Sequence, residues 1–185
     1  SFYDDKYHGT VWTLILLAEL GADPRDVRVK KACEFILSHS RHESGGFSVK
    51  ESRITHTGLK SSVIPCLTGN MVWSLVTLGY EDDPRTADAI SWITRYQRAD
   101  DGIERVPEEE TEKRLFAACF GRHTCHMGAA KALKALAFIP PEKRSPEVIG
   151  KIRQLSEYFL IHRLYRKSHN LRAISRPGWL KLSFP

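Results

Sequence analysis

Two kinds of helical segment alternate along this chain, and the pair recurs every ~60 residues. Residues 10–20 and 69–78 carry almost no charge and are apolar on nearly every side, as expected of a helix enclosed by others. The second kind is striped. Val29, Ala32, Cys33 and Ile36 recur at helical spacing, as do Ala89, Ile90, Ile93 and Tyr96, and then Val148, Ile152, Leu155 and Phe159. Punctuation between the two kinds is regular. Gly21 and Gly79 stand where a left-handed residue ends a helix, and Asp23-Pro24, Asp83-Pro84 and Ser145-Pro146 each offer a side-chain N-cap followed by proline at the first helical position. A third inner helix is predicted over 122–138, stopped by Pro140-Pro141, with its outer partner over 146–164.

The remaining segments read as connections. Ser44, Gly45, Gly46 and Phe47 make a turn, and residues 48–62 a long polar loop. Asp100-Asp101-Gly102 turns the chain into an acidic loop over 103–114, which holds five glutamates. Residues 166–185 form a basic tail with one short helix near 170–174, and no strand is expected anywhere. The predicted fold is therefore all-α: about three inner/outer helix pairs in one domain over residues 1–185, with the tail leading on to further helices. Such pairs build either a linear solenoid or a closed ring. The ring is favoured because the inner helices are apolar around their circumference. Trp12 and Trp73 on these helices, and Phe116 and Phe120 in the loops leading into the third, are then the expected cavity lining.

Composition narrows the setting. With 42% apolar residues in 185, the chain can bury a core, and no apolar run reaches membrane-spanning length. Four cysteines in a chain this long do not suggest a secreted disulfide framework, so a reduced, cytoplasmic setting is expected. The chain opens on Ser1 rather than Met, which reads as a partial chain. The net charge of +6 conceals an asymmetry: residues 61–120 hold six basic and eleven acidic side chains, residues 121–185 thirteen and three. Such a bias can mark contact with nucleic acid, an anionic membrane surface or a phosphorylated ligand, and the favoured reading is a solvated face that neutralises the acidic middle. No nucleic-acid motif accompanies it, so nucleic acid is not an expected partner.

The ends of the outer helices carry a resemblance. Residues 34–40 followed by Gly45-Gly46-Phe47, and residues 91–97 followed by Asp101-Gly102, resemble degenerate copies of the repeat shared by squalene-hopene cyclases and protein prenyltransferase beta subunits. The likeness covers residues ~7–164, and the stretch 119–128 also resembles a small bacterial branch of squalene-cyclase-like proteins. This resemblance implies an α/α toroid around an apolar cavity, an isoprenoid or other apolar ligand, and a second subunit or second copy to complete the ring. It also implies one of two chemistries. The cyclases' Asp-x-Asp-Asp motif is absent: the acidic pairs are Asp4-Asp5, Asp82-Asp83 and Asp100-Asp101, and Asp83 is already explained as a cap. The prenyltransferases hold zinc, and by resemblance His123 occupies a ligand position and Cys66 the place of the family's cysteine. Two residues before Cys66, however, stands Ile64 where the family has Asp.

On its own terms, the chemistry concentrates in Cys119, His123, Cys125 and His126, with Cys66 adjacent if the repeats stack. Thiolate and imidazole are zinc's preferred ligands, and spacings of three and four can aim side chains at one point on a helix. Zinc rather than magnesium is therefore the expected cofactor, with Arg122 a weak anion contact at a helix start. The alternative is that the thiols are small buried hydrophobes and the histidines bond locally. Cys33, on an apolar stripe, belongs to the core. Two functions stay open: an isoprenoid-handling enzyme of the cyclase or prenyltransferase type, and a binding or scaffold module that keeps the helices without the reaction.

Overall fold

A computed structural model describes residues 8–99, 117–121, 123–167 and 170–181. The aspartate pairs at 4–5 and 100–101, the acidic loop, Phe116 and Arg122 lie outside the described residues. Within them the chain is mostly helical, with α1 (Thr10–Glu19), α2 (Val27–His39), α3 (Pro65–Thr77), α4 (Pro84–Tyr96), α5 (His126–Phe138) and α6 (Pro146–Ile161). A small antiparallel ribbon, β1 (Arg166–Lys167) and β2 (Asn170–Ile174), follows.

The inner and outer kinds separate as their patterns require. The inner helices stack in the order α1, α3, α5, and each carries its own outer partner: α2 on α1, α4 on α3 and α6 on α5. The central helix α3 has no charged residue, and every position from Leu67 to Val76 is buried. Its neighbours are only half enclosed. In α1 the buried face is Val11, Leu14, Ile15 and Ala18, while Leu16 and Leu20 are exposed. The outer helices bury a stripe each: Val29, Cys33, Ile36 and Leu37 in α2; Ala89, Trp92, Ile93 and Tyr96 in α4; Val148, Leu155, Tyr158 and Phe159 in α6. Burying such side chains contributes roughly 1.5–3 kcal/mol apiece, which is what holds α3 between its neighbours.

Gly21 (φ 65°) and Gly79 (φ 82°) end α1 and α3 in the left-handed region as expected. Asp83 and Ser145 cap α4 and α6, accepting from the Arg85 and Val148 amides. The cap assigned to Asp23 is corrected. The Asp23 carbonyl accepts the Asp26 amide, so residues 23–26 form a turn with proline at its second position, and α2 begins only at Val27 with Asp26 as its cap. An aspartate followed by proline specifies a turn as well as a helix start, and here the turn comes first. The third inner helix likewise starts at His126, not at 122.

Residues 48–62 form the long connection the sequence predicts, and it is held in place. Single antiparallel bridges join Ser48 to Val63 and Glu51 to Gly58, and the Phe47 amide donates to Thr68 Oγ1 at 2.9 Å, which pins the segment onto α3. Residues 170–174 are a strand, not a helix. Leu171 and Ala173 alternate with Asn170 and Arg172, a period of two that a five-residue segment cannot turn into a helical stripe. The ribbon is set up by an abrupt corner after α6, where Arg163 (φ 47°) and Leu164 (φ 68°) both occupy the left-handed region without being glycine. Each such residue costs on the order of 1–2 kcal/mol, so other contacts must hold the corner.

Candidate functional site

The thiol-bearing segment is a short turn, residues 117–120, followed by the N-terminus of α5. Two contacts fix it against the end of α4. Phe120 meets Trp92 edge-on at 6.5 Å, and the Arg98 guanidinium donates to the Gly121 carbonyl. Phe120, half-buried, thus packs against the core. Cys125 has extended backbone (φ −67°, ψ 104°), and its sulfur accepts the Gly128 amide at 3.4 Å, so it is the N-cap of α5.

Cys119 lies beside it and donates its S–H to the Cys125 sulfur. This bond is the main reason the Cys125 thiol is held down to about 6. Burial opposes the shift, while the Gly128 and Met127 amides and the positive charge of Arg176 add to it. Both thiols are half-buried. Next to Gly128 lies Gln97, only 2% exposed, whose Oε1 has no hydrogen-bond partner among the described residues.

Of the five predicted ligands, this brings Cys119 and Cys125 together and turns His126 away. The His126 ring lies among Tyr158, Phe159 and His162 of α6. Its Nε2 is 2.9 Å from the Leu164 carbonyl, which can only accept, so Nε2 carries the proton. In the neutral ring this leaves Nδ1 to accept the Tyr158 hydroxyl at 2.7 Å. With both nitrogens engaged, His126 is a structural residue: it grips the carbonyl of the strained Leu164 corner. His123 is half-buried in the turn before Cys125. Cys66 sits in the first turn of α3 and faces Lys131 closely enough to act on its charge. Among the described residues no three His, Cys, Asp or Glu side chains converge as a metal would need, so this donor set does not assemble the four-ligand site that zinc prefers. Cys33 is fully buried, and burial pushes its thiol up to about 12.

A second feature runs along α5. Met127, Ala130, Lys131, Leu133, Lys134 and Ala137, with Phe159 and Leu164 from the α6 side, line an open apolar groove of about 570 Å3. Its two cations differ. Lys134 stacks 3.3 Å over the Trp73 ring and pairs with Glu19 of α1, tying the first inner helix to the third across α3. Trp73 is thereby buried under Lys134 and the edge of Phe138, and Trp12 is half-buried against the same core.

Lys131 makes no ion pair or hydrogen bond among the described residues, and its pKa is lowered by burial and by the like charge of Lys134. None of the lining residues stands out as chemical in the sequence. The available signal was Lys131 and Lys134, the two charges on an otherwise apolar inner helix. Acidic pair 82–83 is structural: Asp82 pairs with Lys143 and Asp83 caps α4. Among the described residues no helix is long and apolar enough to cross a membrane. No protein-family model, curated protein or solved structure matches this chain.

Proposed function

We propose that this chain is a binding module of an α/α toroid, and that its α5–α6 groove takes an anionic isoprenoid of the prenyl diphosphate class. The observation that carries this reading is Lys131: a half-buried ammonium with no ion pair or hydrogen bond among the described residues, set in the wall of an otherwise apolar groove. Partial desolvation of a cation is costly, and a bound anion offsets that cost. The walls around it are methyl and methylene groups with one aromatic ring, suited to a branched hydrocarbon chain, each buried CH₂ contributing about 0.8 kcal/mol. The lining offers two lysines and no carboxylate, thiol or imidazole, so the groove's chemistry is capture rather than turnover. The stacking of α1, α3 and α5, each with its outer partner, supports the toroid part of the reading.

Isothermal titration with farnesyl diphosphate, farnesol and inorganic diphosphate tests the proposal. Farnesyl diphosphate is expected to bind best, and Lys131→Met to weaken it about tenfold or more while leaving farnesol unchanged. Equal binding of farnesol and its diphosphate by the unaltered chain, or an unchanged affinity in Lys131→Met, would sink it.

A further inference from the structure

We propose that Cys125 and Cys119 form a thiol–disulfide exchange site, with Cys125 as the attacking sulfur, Cys119 as the resolving one and a low-molecular-weight disulfide as the substrate. The site stands apart from the groove and does not depend on what the groove binds.

The argument begins from the cap itself. Among the side-chain-capped helices, α2, α4 and α6 use oxygen from Asp26, Asp83 and Ser145, the strong acceptors for this role. The cap of α5 is sulfur, a weak acceptor, bonded to the Gly128 amide at a long 3.4 Å. Serine would cap better, so capping does not account for a cysteine here. What sulfur adds is nucleophilicity, and its surroundings favour negative charge on it. The Cys119 S–H, the Met127 and Gly128 amides and Arg176 are all directed at or lie near Cys125 Sγ. A second sulfur within hydrogen-bond reach can resolve a mixed disulfide, and both residues keep some solvent access. The turn that carries Cys119 is tied down through Phe120 and Gly121, which keeps the two sulfurs together. Gln97 Oε1, buried beside the first turn of α5 and without a hydrogen-bond partner among the described residues, leaves a polar acceptor at the same place. The other two cysteines are not arranged this way: Cys33 is sealed in the core and Cys66 lies on α3 beside Lys131.

The chemistry balances with the disulfide as oxidant. The Cys125 thiolate attacks one sulfur of the small disulfide, whose S–S bond breaks and releases a thiolate. Cys119 then gives up its proton and attacks Cys125 Sγ in the mixed disulfide, expelling the second small-molecule sulfur. Two electrons pass from the protein sulfurs to the oxidant, which leaves as one thiol and one thiolate, the thiol carrying the proton from Cys119.

The experiment exposes the reduced chain to excess oxidised glutathione, quenches in acid and maps the cysteines by mass spectrometry. The unaltered protein is expected to lose two hydrogens and yield a peptide linking Cys119 to Cys125. Cys119→Ser should stop at one glutathione on Cys125, and Cys125→Ser, which keeps the cap, should give neither product. A chain that stays reduced, that takes glutathione first on Cys66, or whose Cys119→Ser variant carries none on Cys125 would overturn the assignment. Matching circular dichroism of the serine variants separates lost chemistry from lost fold.

Discussion

The central inner helix and the third pack closely at Gly69. A Cβ built at position 69 of α3 would lie 2.6 Å from the Lys131 carbonyl carbon and 2.8 Å from the Ala132 nitrogen of α5. These are backbone atoms of a packed helix, which cannot rotate aside. Gly69→Ala must therefore push the two helices apart, at a cost of about 1–3 kcal/mol for overpacking. Against that, alanine is favoured over glycine in a helix interior by about 0.8–1.0 kcal/mol. The clash is with backbone on a fully buried face, so the cost falls at the upper end of its range and the net loss is about 2 kcal/mol. For a chain of this length that lowers Tm by roughly 4–8 °C.

Gly150 is the matched control. It lies inside α6 with nothing within 4 Å of an added Cβ, so Gly150→Ala keeps only the propensity gain and should raise Tm by about 2–4 °C. The same chemical change thus acts with opposite sign at two positions. Thermal unfolding followed by far-ultraviolet circular dichroism reads both. A Gly69→Ala protein melting at or above the unaltered chain would mean that α3 and α5 do not meet at Gly69. The position of Lys131 in the groove wall would fall with that contact.

Two other predictions concern the corrected residues. Asp26→Ala should lower Tm more than Asp23→Ala, since only Asp26 caps α2. The Asp26 carboxyl, held down to about 2 chiefly by the Arg28 side chain, gives stability that is present above the ordinary carboxylate range and lost as pH falls toward 2. Acid melts that differ between the unaltered chain and Asp26→Ala at pH 3 as much as at pH 7 would contradict this. Tyr158→Phe removes the hydroxyl that satisfies His126 Nδ1 and should cost about 1–3 kcal/mol in urea denaturation; a loss below ~0.5 kcal/mol would mean that His126 does not depend on this bond.

Much of the fold was legible because it depends on neighbours in sequence. Inner and outer helices, the stops at Gly21 and Gly79, and the caps at Asp83 and Ser145 follow from periodicity and from side chains acting within one turn. Where two local rules competed, as at Asp23-Pro24 and Asp26, the residues alone did not rank the turn above the cap. At 170–174 the five-residue alternation has a period of two, which favours the observed strand over the short helix expected there.

What tertiary structure decided is which chemical groups meet. His126 and Cys125 are adjacent in sequence and part company in space. Tyr158 and Leu164, 32 and 38 residues further on, take both nitrogens of the His126 ring, leaving Cys125 to Cys119. Lys131 became notable only when packing left it half-buried in the groove wall, with no ion pair among the described residues. Its identity was plain in the sequence, but its desolvation is a property of everything packed around it. Local order follows from near neighbours, whereas a site depends on contacts across the chain, and those exist only once α1, α3 and α5 have stacked.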